Sequence, residues 1–421
     1  MDFELHVDHN KYLPDGGRVM DAVVSVSALD GGRRAHAPTA AEVIMIDCSG
    51  SMEGEKIIEA KRAVNVAVDQ LRDEVAFAVV AGNSAARMAY PPGETMVPAS
   101  PVTRAEAKAA IRKLRAEGGT AIGTWLDLGN HLLAGQDADI KHGILLTDGH
   151  NIHQRHEDLL ATLEQCRGKF VCETRGVGKG WSAEPLNAIA DVLLGTADGL
   201  PDAKTLTAEF QAMIEAVMGK TTANVTLRLW CPRGSRLRFV KQVFPDILPL
   251  TENGTPLSDL ITDYPTGSWG AETRDYHLSV ELPAGKKLGE EVLAAHARIV
   301  VADNVVAEGL IPASWTDDAA LSTKINQRVA HYTGQQELNV VTQEGLAALT
   351  AGRKDEATAK LGRAVQLAAE SDHHDTLRVL NKIVDVVDAP TAHVRLRDDM
   401  EDVDAEMASV KSRKTVPWRK R

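Results

Sequence analysis

Apolar and polar positions change their rhythm repeatedly along this chain. Near the amino end, FELHV alternates and DAVVSVSAL is a β-branched run, with LPDGG reading as a turn between them. Residues 1–38 are therefore predicted to be strands with no intervening helix. From Glu42 the pattern is different. Val43 to Asp47 is a short strand, apolar up to its closing Asp47, of the kind buried on both faces. It runs into the Gly-rich SGSMEG and then a helical stretch from Glu55 to Leu71, with Ile57, Ile58, Ala60, Val64, Ala67, Val68 and Leu71 at helical spacing. Val75 to Gly82 is the next buried strand, and Arg104–Ala116 and Ile122–Leu133 read as helices. Gly143 to Thr147 is a further apolar strand, ending at Asp148. Glu157–Cys166 is helical, KFVCETRGVG is a strand, and Pro185–Leu193 and Thr207–Met218 are helical. Strands alternating with helices imply βαβ units and a mostly parallel sheet. Residues 40–219 are thus predicted to form one doubly wound α/β domain, whose ligands would bind beyond the carboxyl ends of its strands.

From residue 220 to 314 the pattern returns to strands: NVTLRLWC, RLRFVKQVF, RDYHLSVELP and LAAHARIVVADNVVAEGLI, separated by Gly, Pro and Asn. This stretch reads as a β-sandwich. The strands of residues 1–38 have no sheet of their own and are predicted to complete it, which makes the α/β domain an insertion. Residues 315–388 are predicted to be helical, with two helices around Gly352–Arg353. The hairpin over 344–370 faintly resembles a tetratricopeptide unit, but a single unit cannot bury its own face, and a cap on the sandwich is the expectation. Residues 389–421 are charged and poor in large apolar side chains, and a disordered tail is expected there.

Composition narrows the classes. With 421 residues, at roughly 150 per domain, about three folded units are expected. A hydrophobic fraction of 44% and a charged fraction of 25% are those of a globular protein. The chain holds no uninterrupted apolar run of ~18 residues, so no membrane-spanning helix is expected. The opening MDFELHVDHNKYL has acids and no apolar core, unlike a secretory signal, and a cytoplasmic location is the expectation. A formal charge of −12 argues against nucleic acid as the main partner. Residues 411–421 are the local exception, with six Lys or Arg and no acid. Cys48, Cys166, Cys172 and Cys231 show no zinc-ligand spacing and are expected to be free thiols.

The chemistry concentrates in IDCSGSM. Asp47, Ser49 and Ser51 lie at i, i+2 and i+4 just past a buried strand, where a turn can aim all three at one spot. One carboxylate and two hydroxyls are hard oxygen donors, suited to Mg²⁺ rather than Zn²⁺. EGGTAIG places Thr120 on a Gly-rich loop opening a helix, and LLTDGHN places Asp148 at the tip of a second strand. If both carboxylates act from behind the direct ligands, those ligands are neutral and the cation keeps most of its charge facing outward. Movement of Asp148 into direct ligation would weaken the attraction for an acidic partner. No GxxxxGK[ST] or GxGxxG follows a strand, so nucleotide binding is unsupported. No nucleophile–base pairing supports a hydrolase.

On these residues the chain resembles the von Willebrand factor A domain with its metal-ion-dependent adhesion site. Asp47-x-Ser49-x-Ser51, Thr120 in GGT and Asp148 in TDG match the family's five positions, over about 180 of the 421 residues. The resemblance implies that Ser49 and Ser51 bind a metal directly, that Thr120 does so in the ligand-competent state, and that Asp47 and Asp148 act directly or through water. It implies one open coordination position, usually taken by a partner's Asp or Glu. Mg²⁺, Mn²⁺ and Ca²⁺ all suit this set. The expected function is a metal-dependent protein-interaction module without catalysis, in bacterial signalling or complex assembly. The alternative is an accessory subunit presenting substrates to a separate ATPase of chaperone or metal-insertion type. A metal-dependent hydrolase is the weakest reading, with Asp47, Asp148 and the His150 cluster as its only bases. His150, His153 and His156 are expected to line the rim of the site, and Cys48 to be apolar filler. Thr415, amid Lys and Arg, is a candidate phosphosite. Bacterial proteins of this three-part build resemble members of Ser/Thr kinase and forkhead-associated signalling sets, so a kinase or a forkhead-associated phosphopeptide-binding protein is a candidate partner of the tail.

Overall fold

The computed structural model describes residues 1–29, 38–148, 151, 153–200, 203–284 and 287–419. Contacts divide the chain into two units, one of residues 33–223 and one of residues 1–32 with 224–421. The chain opens with β1 (Asp2–His9), β2 (Tyr12–Pro14) and β3 (Val19–Leu29). These belong to the second unit.

The α/β unit then begins with β4 (Ala40–Asp47), every residue of which is buried. It continues through α1 (Glu55–Gln70), β5 (Ala76–Gly82), β6 (Ala86–Tyr90), β7 (Val97–Pro98), α2 (Pro101–Arg112), α3 (Ile122–Ala134), β8 (Ile140–Thr147), α4 (His156–Cys166), β9 (Val171–Val177), α5 (Ala183–Val192), β10 (Ala197–Leu200) and α6 (Ala203–Met218). The sheet order is β10-β9-β8-β4-β5-β6, with β7 also on β5. β10, β9, β8, β4 and β5 are parallel, and β6 and β7 run against β5. Leaving β4, the chain first builds on one side and then returns to lay β8 on the other. That reversal opens a crevice at the carboxyl ends of β4 and β8, where doubly wound sheets bind ligands.

Alternation along the strands fills both faces. Ile44, Ile46, Phe77, Val79, Ile144 and Leu146 pack on α1, α2 and α6, through Ala60, Val64, Val68, Ile111, Phe210 and Ile214. On the other face Val43 and Met45 lie against Gly129 of α3. The helix expected over Arg104–Ala116 starts and ends earlier. Ser100 and Thr103 form a capping box with Pro101 at the first helical position, and that local chemistry sets the start. The short strands β6, β7 and β10 carry too little pattern to be read in advance.

The second unit holds two sheets. After the insertion come β11 (Thr226–Trp230), β12 (Arg236–Phe244), β13 (Leu248–Pro249), β14 (Thr255–Ser258), β15 (Ile261–Pro265), β16 (Glu272–Glu281), β17 (Glu291–Val301) and β18 (Asn304–Thr316). One sheet runs β1-β3-β16-β12-β13 and the other β14-β15-β11-β17-β18-β2. The amino-terminal strands thus join both sheets: β3 pairs along its length with β16, and β2 pairs with β18. Gly309 on β18 leaves room for Leu5 and Val7 of β1, which a Cβ there would strike.

The carboxy-terminal part has α7 (Ala319–Ser322), α8 (Gln327–Thr350), α9 (Lys354–Glu370), α10 (His374–Ile383), β19 (Val384–Asp388), β20 (His393–Leu396) and α11 (Asp402–Lys411). α8 and α9 turn at Gly352, whose φ of +73° favours glycine. α8 caps the sandwich, with the Tyr332 hydroxyl donating to Asp275 on β16. Two sequence expectations fail here. The helical reading to residue 388 ends in the strand β19, which pairs with β20. In the segment 389–421, expected as a disordered tail, the described residues 389–419 carry that second strand, a helix and a docked stretch beyond it. Val403, Met407 and Val410 of α11 are buried, a stripe at i, i+4 and i+7 too narrow to stand out among the charges. Beyond it, Ile247 N–H donates to the Arg413 carbonyl at 2.7 Å, and Gln335 Nε2 donates to the Val416 carbonyl at 3.0 Å.

Candidate metal centre

Asp47 is the last residue of β4, and its carboxylate is buried. Oδ1 accepts from the Ser49 N–H at 2.7 Å, which bends the chain back over the strand end. Oδ2 accepts from the Thr147 hydroxyl, at the tip of the neighbouring β8, at 2.5 Å. The two hydroxyls of the motif meet, Ser49 Oγ to Ser51 Oγ at 3.0 Å, and Ser51 Oγ donates to Asp148 Oδ1 at 2.8 Å. Four of the five expected donors therefore form one cluster over the β4–β8 crevice. Burial pushes the Asp47 carboxyl above the ordinary carboxylate value; hydrogen bonds from Thr147 and Ser49 oppose this, and the charge of Asp148 adds to it.

Thr120 stands on a loop whose backbone is tied to this cluster. Cys48 N–H donates to the Gly82 carbonyl and its carbonyl accepts from Glu117 N–H, both at 2.7 Å, and Gly50 N–H donates to the Gly118 carbonyl at 2.9 Å. The first ties the DxSxS turn to the end of β5, and the other two tie it to Glu117 and Gly118 on the loop that leads to Thr120. The Cys48 side chain packs in the core and burial pushes its thiol up to about 11, in keeping with the filler role expected for it. All four cysteines are free thiols.

The helix that Thr120 introduces is capped from elsewhere. Ala121, at the N-cap of α3, has no side chain able to accept. The loop after β8 supplies the acceptors instead: His153 Nδ1 for Thr120 N–H at 3.1 Å, Asn151 Oδ1 for Ile122 N–H at 2.8 Å, and Gln154 Oε1 for Gly123 N–H at 2.8 Å. His153 N–H also donates to the Thr120 carbonyl at 3.0 Å. The imidazole lies so close to Gly119 that a Cβ there would collide with its ring. His153 thus holds the Thr120 loop rather than simply lining a rim. His156 is the first residue of α4, and His150 falls outside the described residues. The candidate phosphosite Thr415 belongs to the other unit, where its hydroxyl donates to the Pro245 carbonyl at 2.9 Å.

One participant was not foreseen. Lys56, in the first turn of α1, pairs through Nζ with Asp148 Oδ2 and donates to the Ser51 carbonyl at 3.2 Å. Its spacing, five residues after Ser51, is a signal only once Asp148 is known to lie beside it.

The comparisons with known proteins agree with this architecture. The von Willebrand factor type A domain model matches residues 41–198, and that of the von Willebrand factor type A C-terminal domain matches residues 366–408. The solved structure of a von Willebrand factor type A protein from Catenulispora acidiphila is 43% identical, with 99% of this chain and 97% of that chain covered and a TM-score of 0.93. The chain belongs to the von Willebrand factor type A family. The solved ArnB paralog VWA2 from Sulfolobus acidocaldarius is 12% identical over 98% of this chain and 97% of that chain, with a TM-score of 0.57, a likeness of fold alone. The protein sll0103 of Synechocystis is 29% identical over 232 residues, 52% of this chain and 54% of that protein, so this chain spans about half the length of that relative.

Within this von Willebrand factor type A protein, the donor chemistry at the crevice fits a hard divalent cation: two carboxylates and three hydroxyls, all oxygen. Among the described residues no three or more His, Cys, Asp or Glu side chains gather as metal ligands. The crevice is of another kind, rich in hydroxyls. Its buried Asp47, hydrogen-bonded among the described residues by neutral donors, is the group a cation would relieve. Among the described residues, no helix is long and apolar enough to cross a membrane.

Proposed function

We propose that this protein is a metal-dependent protein-interaction module that captures an acidic side chain of its partner. Asp47, Ser49, Ser51, Thr120 and Asp148 would hold Mg²⁺, or Mn²⁺ or Ca²⁺ in its place. When bound, the cation supplies a concentrated positive charge able to take a carboxylate. The protein's own residues do the rest. Asp47 fixes the DxSxS turn, Thr147 fixes Asp47, and His153 fixes the loop that presents Thr120. The observation that carries the reading is the linked hydrogen-bond chain Ser49–Ser51–Asp148 beside a buried Asp47 at the switch point of the sheet.

The module has no catalysis of its own in this reading, and it works in the bacterial cytoplasm, in signalling or complex assembly. The free thiols fit a reducing compartment. A kinase or a forkhead-associated protein reading Thr415 would have to lift that hydroxyl off Pro245, so the tail is available to it only when undocked. The test is calorimetric titration of Mg²⁺ into the full chain and into Asp47→Ala. The parent should bind and the variant should lose at least about a hundred-fold in affinity. Partners captured from the native cell should be released by a chelator. Equal Mg²⁺ binding by parent and variant would overturn the reading.

A further inference from the structure

The two carboxylates of the centre are treated differently by the protein. Asp47 is held by a backbone N–H and a hydroxyl, both neutral. Asp148 is held by the Ser51 hydroxyl on Oδ1 and by the Lys56 ammonium on Oδ2. The Asp148 side chain is fully out of solvent, while that of Lys56 is 33% exposed. Lys56 is also confined. A Cβ on Gly178 would lie 3.1 Å from its Cε and one on Gly180 4.0 Å from its Nζ, so the loop after β9 closes over the side chain. Gly178 has a φ of +75°, a conformation that favours glycine there. The ammonium is therefore built into the centre, with Ser51, Asp148 and the 178–180 loop around it.

Resting on the reading above, we propose that Lys56 is the positioning residue that makes this centre selective for an acidic partner. It neutralises Asp148 and pins it as the acceptor of the Ser51 hydroxyl, away from direct ligation. The donor set then offers a cation one uncompensated negative charge rather than two. A cation so held binds less tightly to the protein and keeps more attraction for an incoming carboxylate.

The test uses the full chain with metal alone as the probe. Mg²⁺ is titrated calorimetrically into the parent, Lys56→Met, Lys56→Arg and the double variant Lys56→Met/Asp148→Asn. Lys56→Met should bind Mg²⁺ at least about ten-fold more tightly than the parent, Lys56→Arg should stay within about three-fold of it, and the double variant should lose the gain. Water-proton relaxation of the Mn²⁺-loaded proteins gives a second readout. Asp148 entering the coordination sphere displaces a water, so relaxivity should fall in Lys56→Met and not in Lys56→Arg. Lys56→Gln, which drops the charge and keeps a donor, replaces Lys56→Met if that variant does not fold. Mg²⁺ affinity in the charge-deleting variant equal to or weaker than the parent's, with unchanged relaxivity, would overturn the inference while leaving the metal centre standing. A parent that takes up neither Mg²⁺ nor Mn²⁺ would remove the centre and the inference with it.

Discussion

β4 and β8 carry charged side chains near both of their ends, and the two ends are built on opposite principles. Toward the amino ends, Glu42 and His142 stand opposite each other in the parallel register, with His142 Nδ1 2.9 Å from both carboxylate oxygens. On the adjacent β9, Glu173 accepts from the Thr196 N–H at 2.9 Å and lies 3.4 Å from Arg175. Burial pushes the Glu173 carboxyl up, but Arg175, His142 and Thr196 outweigh it and hold it below the ordinary value. Both acids here have a charged partner within the protein. At the carboxyl ends Asp148 has Lys56, while Asp47 is held, among the described residues, by neutral groups. Compensated charge in a sheet interior holds the strands in register, whereas uncompensated charge at a crevice is a place for a ligand. The difference is the ground for reading one cluster as structural and the other as a candidate binding site, although both are buried and both are polar.

Three experiments bear on that contrast, beyond those on Asp47 and Lys56. The largest effect is expected from Glu42→Gln, which leaves His142, 4% exposed, without its carboxylate. Breaking a buried pair from one side costs about 3 kcal/mol, and urea denaturation should show it, with Mg²⁺ binding preserved. A loss of Mg²⁺ binding without loss of stability would merge the two clusters into one functional site.

The next effect is on pH dependence. Burial pushes the His142 imidazole down, but the charge and hydrogen bond of Glu42, with Glu173 behind them, raise it above its ordinary 6.5. A raised value means the folded state holds a proton that the unfolded chain gives up above pH 6.5. The stability from this pair is therefore complete below 6.5 and is lost as pH rises toward the folded-state value. Unfolding free energies from urea denaturation at a series of pH values across that window should fall by up to about 1.4 kcal/mol per pH unit. Glu42→Gln should flatten the slope, and an unchanged slope would reassign it to other groups.

The smallest effect belongs to His153→Ala at the other end. Loss of one capping acceptor costs about 1 kcal/mol. Because the acceptor holds the Thr120 loop, Mg²⁺ affinity should fall several-fold in calorimetry. Stability lost with affinity unchanged would make His153 a cap and nothing more.

Much of the candidate metal centre was legible because its parts are local. Asp47, Ser49 and Ser51 lie within five residues of one another, and a buried apolar run followed by a Gly-rich turn announces a strand end. Asp148 and Thr120 were legible for the same reason, each at the end of a recognisable element. Lys56 was not, since a lysine in the first turn of a helix is ordinary until its partner from the end of β8 is beside it. Nor was the capping of α3 by Asn151, His153 and Gln154, which pairs backbone donors with acceptors some thirty residues away. The ordering of 389–419 was missed because composition reports the average charge of a segment, while α11 needs only Val403, Met407 and Val410 on one side.

The amino-acid sequence by itself determined the periodicities: where strands alternate with helices, where β pattern resumes, and which oxygens stand at strand ends. Those follow from short-range geometry, the repeat of side chains along a helix or a strand. The tertiary structure decided which charges meet. The pairing of Glu42 with His142, and of Lys56 with Asp148, depends on the register and order of strands far apart in the chain. A charge is neutral filler or an invitation to a ligand according to that neighbour, because electrostatic energy depends on distance and burial and not on position along the chain.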